Sequence, residues 1–142
     1  MKIIAIGGGG LHDPKCAIEI QTIKLTGKKK PHVLFIPTAS SDDVDYVKAF
    51  QKVYQKKLKC SIDILLLLKD RPTINEIRKI INAADIIFVG GGNTLMMMKL
   101  WQHLGVDKML LKACKNETVL TGSSAGALCW FNYGHSDSWF YY

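Results

Sequence analysis

No apolar run in this 142-residue chain approaches the roughly 18 residues that a membrane-crossing helix needs, so no membrane partner is expected. No secretory leader is expected either. Met1 and Lys2 pass straight into the strand-like Ile3-Ile4-Ala5-Ile6, without the apolar zone and cleavage pattern of a signal peptide, and the expected compartment is the cytoplasm. The four cysteines, Cys16, Cys60, Cys114 and Cys129, stand far apart with no C-x-x-C pair. That spacing indicates neither a zinc site nor a disulfide framework and leaves buried thiols as the expectation. His12 and His103 have no ligand partner at metal spacing and read as surface or structural residues, so no metal is expected. The length, with 48% hydrophobic residues, suffices for one core and is too short for a second, giving a single domain over 1–142.

Two further absences narrow the ligands. Gly7-Gly8-Gly9-Gly10 follows the first strand where a dinucleotide loop would lie, yet the third glycine of G-x-G-x-x-G is His12 in one register and Asp13 in the other. The second strand also runs into Pro37-Thr38 without an acidic residue to hold a ribose. No nucleotide cofactor, and no cofactor of any kind, is expected. The formal net charge is +7, but its distribution does not build a nucleic-acid surface. Lys28-Lys29-Lys30 lies in a turn before Pro31, and Lys48, Lys52, Lys56, Lys57 and Lys59 alternate with apolar residues along a helix, which is a solvated face.

What is present is alternation. Ile3 to Ile6, Val33 to Ile36, Ile62 to Leu67, Ile86 to Val89 and Thr118 to Leu120 are apolar on successive residues, as strands buried on both faces are. Between them, Val44, Val47, Phe50, Val53, Tyr54 and Leu58 recur at helix spacing, and Thr73-Ile74-Asn75-Glu76 reads as a capping box for a helix carrying Ile77, Ile80 and Ile81. Further helices begin near Asn93 and run from about Gly105 to Cys114. Met96-Met97-Met98 is helix packing. This order predicts an α/β fold: a three-layer, doubly wound, mostly parallel sheet with helices on both faces.

The chemistry is concentrated at two strand ends. Thr121-Gly122-Ser123-Ser124-Ala125-Gly126-Ala127 contains G-x-S-x-G between an apolar run and a helix expected around Leu128, Cys129, Trp130 and Phe131. A nucleophile elbow needs small residues there because strand and helix backbones meet closely and hold the serine in a strained conformation with its hydroxyl exposed. Small residues at a strand-to-helix turn are common in α/β domains, so the motif alone is weak. A second cluster, Gly90-Gly91-Gly92-Asn93-Thr94, follows the fourth strand. In a parallel sheet both clusters reach the same edge, where the amides of Gly91, Gly92 and Ala125 can converge on an oxyanion beside Ser124. Asn93 and Thr94 open the next helix and are candidate substrate-binding residues.

These segments resemble a known family, the S51 serine peptidases, which include the aspartyl dipeptidase peptidase E and cyanophycinase. The resemblance is carried by F-V-G-G-G-N-T-L at Phe88 to Leu95, by G-S-S-A-G-A at Gly122 to Ala127 and, more weakly, by F-I-P-T-A-S at Phe35 to Ser40. It extends through essentially the whole chain. It implies a serine hydrolase on a flavodoxin-like or class I glutamine-amidotransferase-like sheet, with Ser124 as nucleophile, the glycine loop in the oxyanion hole and a short peptide as substrate.

One departure stands out. The resemblance implies a histidine base well downstream of the elbow, with an acidic partner between them, whereas this sequence stops at Tyr142. His135 and Asp137 are the available base and acid; both read first as residues of a connecting loop. The expectation is therefore a chain lacking its C-terminal part, weak or inactive alone, with an exposed apolar edge that favours homo-oligomers. A related esterase or acyl hydrolase, or a non-catalytic domain that uses the glycine-lined cleft for binding, remains an alternative.

Overall fold

Strands that are apolar at every position must be covered on both sides, and the computed structural model, which describes residues 1–9, 11 and 13–141, shows how. Gly10, His12 and Tyr142, which enter the readings above, lie outside the described residues. Strands β1 (Lys2–Ile6), β2 (His32–Ile36), β3 (Ser61–Ile64), β4 (Ile86–Val89) and β5 (Val119–Ser123) form one parallel sheet in the order β1-β5-β4-β2-β3. Helix α1 (Ala17–Leu25) and helix α2 (Val44–Phe50) cover one face; α3 (Ile74–Ala83), α4 (Thr94–Leu104) and α5 (Val106–Lys115) cover the other. The expected doubly wound α/β architecture is the observed one.

Each face has its own core. Phe35, Phe50, Tyr54 and Phe88 form an aromatic cluster under α2, with the Phe35 and Phe50 rings stacked at 4.5 Å. Ile36, Ile87, Val89, Met97 and Trp101 pack on the opposite side. The helix ends follow local chemistry. Thr73 and Glu76 make both hydrogen bonds of the capping box on α3, and the Asn93 side chain accepts the Met96 N–H at the start of α4.

Four element boundaries differ from the sequence reading. Strand β3 stops at Ile64; the Leu65 N–H still reaches the Phe35 carbonyl at 2.9 Å, after which Leu65 and Leu67 stay buried as loop residues. Strand β5 continues through Thr121, Gly122 and Ser123 because β1 and β4 flank it on both sides, which overrides the weak strand propensity of glycine and serine. Helix α2 passes into a π-helical stretch over Gln51–Lys57, with the Leu58 N–H bonded to the carbonyl of Val53 five residues back. The helix after Ser124, α6 (Ala125–Leu128), starts at once and ends before Cys129.

Cys16, Cys60 and Cys114 are buried and Cys129 half-buried, all as free thiols. Among the described residues no helix is long and apolar enough to cross a membrane. Among the described residues β1 is an edge strand of the sheet, and a cavity of about 300 Å³ is lined by Ile3, Leu110, Leu111, Leu120, Trp130 and Phe131 among others. Leu111 is 63% and Phe131 55% exposed.

The aromatic cluster sets an expectation for stability. Phe88 is buried in a central strand within ring contact of Phe35, Phe50 and Tyr54, so Phe88→Ala should lower the unfolding free energy by about 3–5 kcal/mol in urea titration. Leu111→Ala, on the surface, should stay within about 0.5 kcal/mol of the parent.

Candidate active site

Parallel pairing aligns the strand ends: Ile6 lies opposite Ser123, and Val89 opposite both Gly122 and Ile36. The loops after β1, β2, β4 and β5 therefore leave the sheet along one edge, where α/β proteins bind ligands. Ser124 sits there, immediately after β5, at φ 53° and ψ −115°. An L residue in so sparsely populated a region costs on the order of 1–3 kcal/mol and persists only where its surroundings dictate it. Three backbone hydrogen bonds do so: the Ser124 N–H donates to Ile6 at 2.9 Å, and its carbonyl accepts from Ala127 at 2.8 Å and Leu128 at 3.0 Å.

Steric exclusion completes the turn. A Cβ on Gly126 would lie 2.0 Å from the Val89 carbonyl oxygen, and one on Gly122 would lie 2.2 Å from that of Gly126. Only bare backbone lets α6 start this close to the ends of β4 and β5. The outcome separates two adjacent serines: Ser123 is buried in the strand, whereas Ser124 is exposed. Ala125, buried behind it as the first residue of α6, has an N–H that the helix ladder does not use.

The glycine loop packs directly against this turn. A Cβ on Gly91 would stand 3.2 Å from the Ser124 Cβ and 3.1 Å from the Ser123 carbonyl oxygen. Gly92, at φ 140°, lies against the loop after β2, where its Cβ would be 2.0 Å from the Ala39 oxygen. The Asn93 N–H donates to that same oxygen at 2.7 Å. Asn93 thus caps α4 with its side chain and ties two loops together with its backbone.

Tyr46, absent from the sequence reading, joins the site from α2. The Gly91 N–H donates to its hydroxyl at 3.4 Å. Burial raises the Tyr46 pKa above the ordinary phenol value. No local pattern marks this residue, because the contact spans 45 positions.

The segment carrying His135 and Asp137 is anchored at the start of α4. The Thr94 N–H donates to Ser138 Oγ at 2.9 Å, and Ser136 Oγ bonds both Thr94 Oγ1 at 3.2 Å and Ser138 Oγ at 2.8 Å. Ser138 is buried, whereas His135 and Asp137 are exposed. Among the described residues no hydrogen bond or ion pair links either of them to Ser124. A histidine held between a serine and an aspartate does occur elsewhere: His32 Nδ1 lies 2.9 Å from Ser61 Oγ, and Nε2 lies 2.9 Å from Asp63 Oδ2. His32 and Ser61 begin β2 and β3, so this trio sits at the amino end of the sheet, opposite Ser124. His103 is exposed on α4.

Comparison with known proteins gives the family and the fold. The model of peptidase family S51 matches residues 3–140. The uncharacterized peptidase YgaJ of Bacillus subtilis (strain 168) is 37% identical over 139 residues, which cover 96% of this chain and 59% of that protein. The uncharacterized peptidase Lin0382 of Listeria innocua is 32% identical over 68% of this chain and 46% of its own length. A solved structure from Listeria monocytogenes EGD-e, provisionally assigned as a peptidase E, superposes with TM-score 0.65 at 27% identity, covering 80% of this chain and 56% of that one. The fold is shared also with a peptidase from an acI-B1 Actinobacterium, at TM-score 0.66 and 21% identity over 87% of this chain and 53% of the other. The chain spans about half the length of the relatives it matches.

The turn and loop glycines differ in what they tolerate. Gly126→Ala and Gly92→Ala place a methyl group 2.0 Å from a carbonyl oxygen and should each cost more than about 1 kcal/mol of stability in thermal or urea unfolding. Gly7→Ala, with nothing within 4 Å, should leave the midpoint nearly unchanged.

Proposed function

The chain belongs to peptidase family S51, and from that membership we propose that it carries the nucleophile site of a serine peptidase cleaving short peptides through an acyl-enzyme. The observation that carries this reading is the Ser124 conformation: a strained, exposed serine at the carboxyl edge of a parallel sheet, beside a glycine loop. In the reaction, Ser124 Oγ attacks the carbonyl carbon of the scissile bond while its proton passes to a base, and the carbonyl π pair moves onto oxygen. The tetrahedral intermediate then collapses with cleavage of the C–N bond, and the amine leaves with a proton. Water repeats the sequence on the resulting ester.

The amides of Gly92 and Ala125 are the backbone candidates for stabilising the oxyanion, the expected Gly91 N–H being engaged by the Tyr46 hydroxyl, with Asn93 and Thr94 at the rim as substrate contacts. One such donor is worth about 2.7–4 kcal/mol of transition-state stabilisation. Neither His135 nor Asp137 is given the role of base, since Ser136 and Ser138 anchor that segment to α4 while those two side chains face solvent. Slow turnover by the 142-residue chain alone is part of the proposal. So is self-association through exposed apolar residues such as Leu111 and Phe131.

A fluorophosphonate probe followed by peptide mapping tests the nucleophile. Label should fall on Ser124 and vanish in Ser124→Ala; label on Ser123, or label that survives the substitution, would overturn the assignment. Preference for simple esters over short peptides would move the reading to an acyl hydrolase. A folded chain whose Ser124 never reacts would favour a binding domain.

A further inference from the structure

The three loop glycines each leave room for a different neighbour. Gly91 faces Ser124 and Gly92 faces Ala39, whereas a Cβ on Gly90 would stand 2.9 Å from Tyr46 Cε1. The loop is therefore shaped around the Tyr46 ring as closely as around the serine. That ring is fixed from two other directions. It meets Phe35 edge-on, with centroids 5.1 Å apart at 68°, and Phe35 is itself stacked on Phe50. Its backbone is fixed by the Asp43 cap, which accepts the Tyr46 N–H at 2.7 Å in the first turn of α2.

A phenol hydroxyl accepts through its lone pairs and donates one proton. Here the accepting side is used, by the Gly91 N–H at 3.4 Å. Among the described residues no acceptor takes the Tyr46 O–H, and donation from Gly91 polarises the phenol and strengthens it as a donor. Gly91 lies against both groups, since its Cβ position is 3.2 Å from Ser124 Cβ. Its amide is turned toward the tyrosine, so that N–H is engaged by the hydroxyl.

We propose that Tyr46 is a catalytic residue of this site: its hydroxyl, oriented by the Gly91 N–H, donates the hydrogen bond that stabilises the oxyanion formed at Ser124. This rests on the reading of Ser124 as nucleophile. The role requires no proton transfer, because the O–H bond stays intact while the electron pair displaced from the substrate carbonyl gathers on its oxygen. Burial, which raises the phenol pKa, keeps the donor protonated through neutral and mildly alkaline pH.

Tyr46→Phe keeps the ring against Phe35 and Gly90 and removes only the oxygen. Fluorophosphonate acylation of Ser124 should slow by about 10²–10³-fold, the loss typical of one oxyanion donor, with the urea midpoint close to the parent. The Gly91 amide should shift and lose protection in ¹⁵N–¹H spectra of Tyr46→Phe, but not in those of Ser124→Ala. As a second variant, 3,5-difluorotyrosine at position 46 acidifies the phenol. The alkaline limb of the acylation profile should then move to lower pH, which a purely structural ring would not cause. An unchanged rate and profile would overturn the role of Tyr46 while leaving Ser124 as nucleophile. A faster rate in Tyr46→Phe would also overturn it, by showing that the hydroxyl merely blocks the Gly91 amide. Absence of any Ser124 labelling in the parent would remove the nucleophile reading and this proposal with it.

Discussion

A carbonyl oxygen of Val89 occupies the space where a side chain on Gly126 would be, 2.0 Å from that Cβ position, and the whole carboxyl edge of the sheet depends on this approach of bare backbones. Because α6 starts against the ends of β4 and β5, the chain reverses within one residue. Ser124 takes the strain of that reversal at φ 53°. Were α6 displaced to admit a side chain, its carbonyl bonds to Ala127 and Leu128 and its N–H bond to Ile6 would loosen together. The strain is sustained by this network because no single bond in it is worth more than about 1.5 kcal/mol net.

The same economy of side chains extends across the neighbouring loops. Gly92 gives up its side-chain space to Ala39, whose oxygen also receives the Asn93 N–H. Trp101 of α4 reaches the loop after β2 through its indole N–H, which donates to Thr38 Oγ1 at 3.4 Å. Ser138 in turn bonds the Thr94 amide at the start of α4. Loops after β2, β4 and β5 and the final described segment are thus tied to one another, and the sheet beneath them supplies a rigid base. Polar groups elsewhere are spent on architecture. Asp42, buried, accepts the N–H groups of Leu68 and Lys69, and Asp85 joins Lys28 to the backbone of His32.

The trio of Ser61, His32 and Asp63 shows why residue type alone does not locate chemistry. Its distances match those of a hydrolytic relay, yet it sits at the amino end of β2 and β3, with Ser61 exposed and the Gly90–Gly92 loop at the opposite edge of the sheet. His135, sequentially nearest to Ser124 among the histidines, faces solvent because its neighbours Ser136 and Ser138 turn toward Thr94. Sequence distance and chemical suitability are both poor guides to which groups meet.

Strands β2 and β4 were legible in the sequence because a segment buried on both faces must be apolar at every position, and the α3 capping box because its partners lie three residues apart. The strand-to-helix turn was legible for a related reason: glycine at two flanking positions records a local steric demand, and Ser124 stands between them. The last residues of β5 were not, since Thr121, Gly122 and Ser123 join the sheet only by virtue of β1 and β4 on either side. Nor was Tyr46, whose partner Gly91 lies 45 residues away. By itself the sequence determined the layers, the parallel sheet and the serine at its edge, because periodicity, capping and close approach act between near neighbours. Which side chains surround that serine was decided by strand order alone, because parallel pairing brings together loops whose residues bear no local sign of one another.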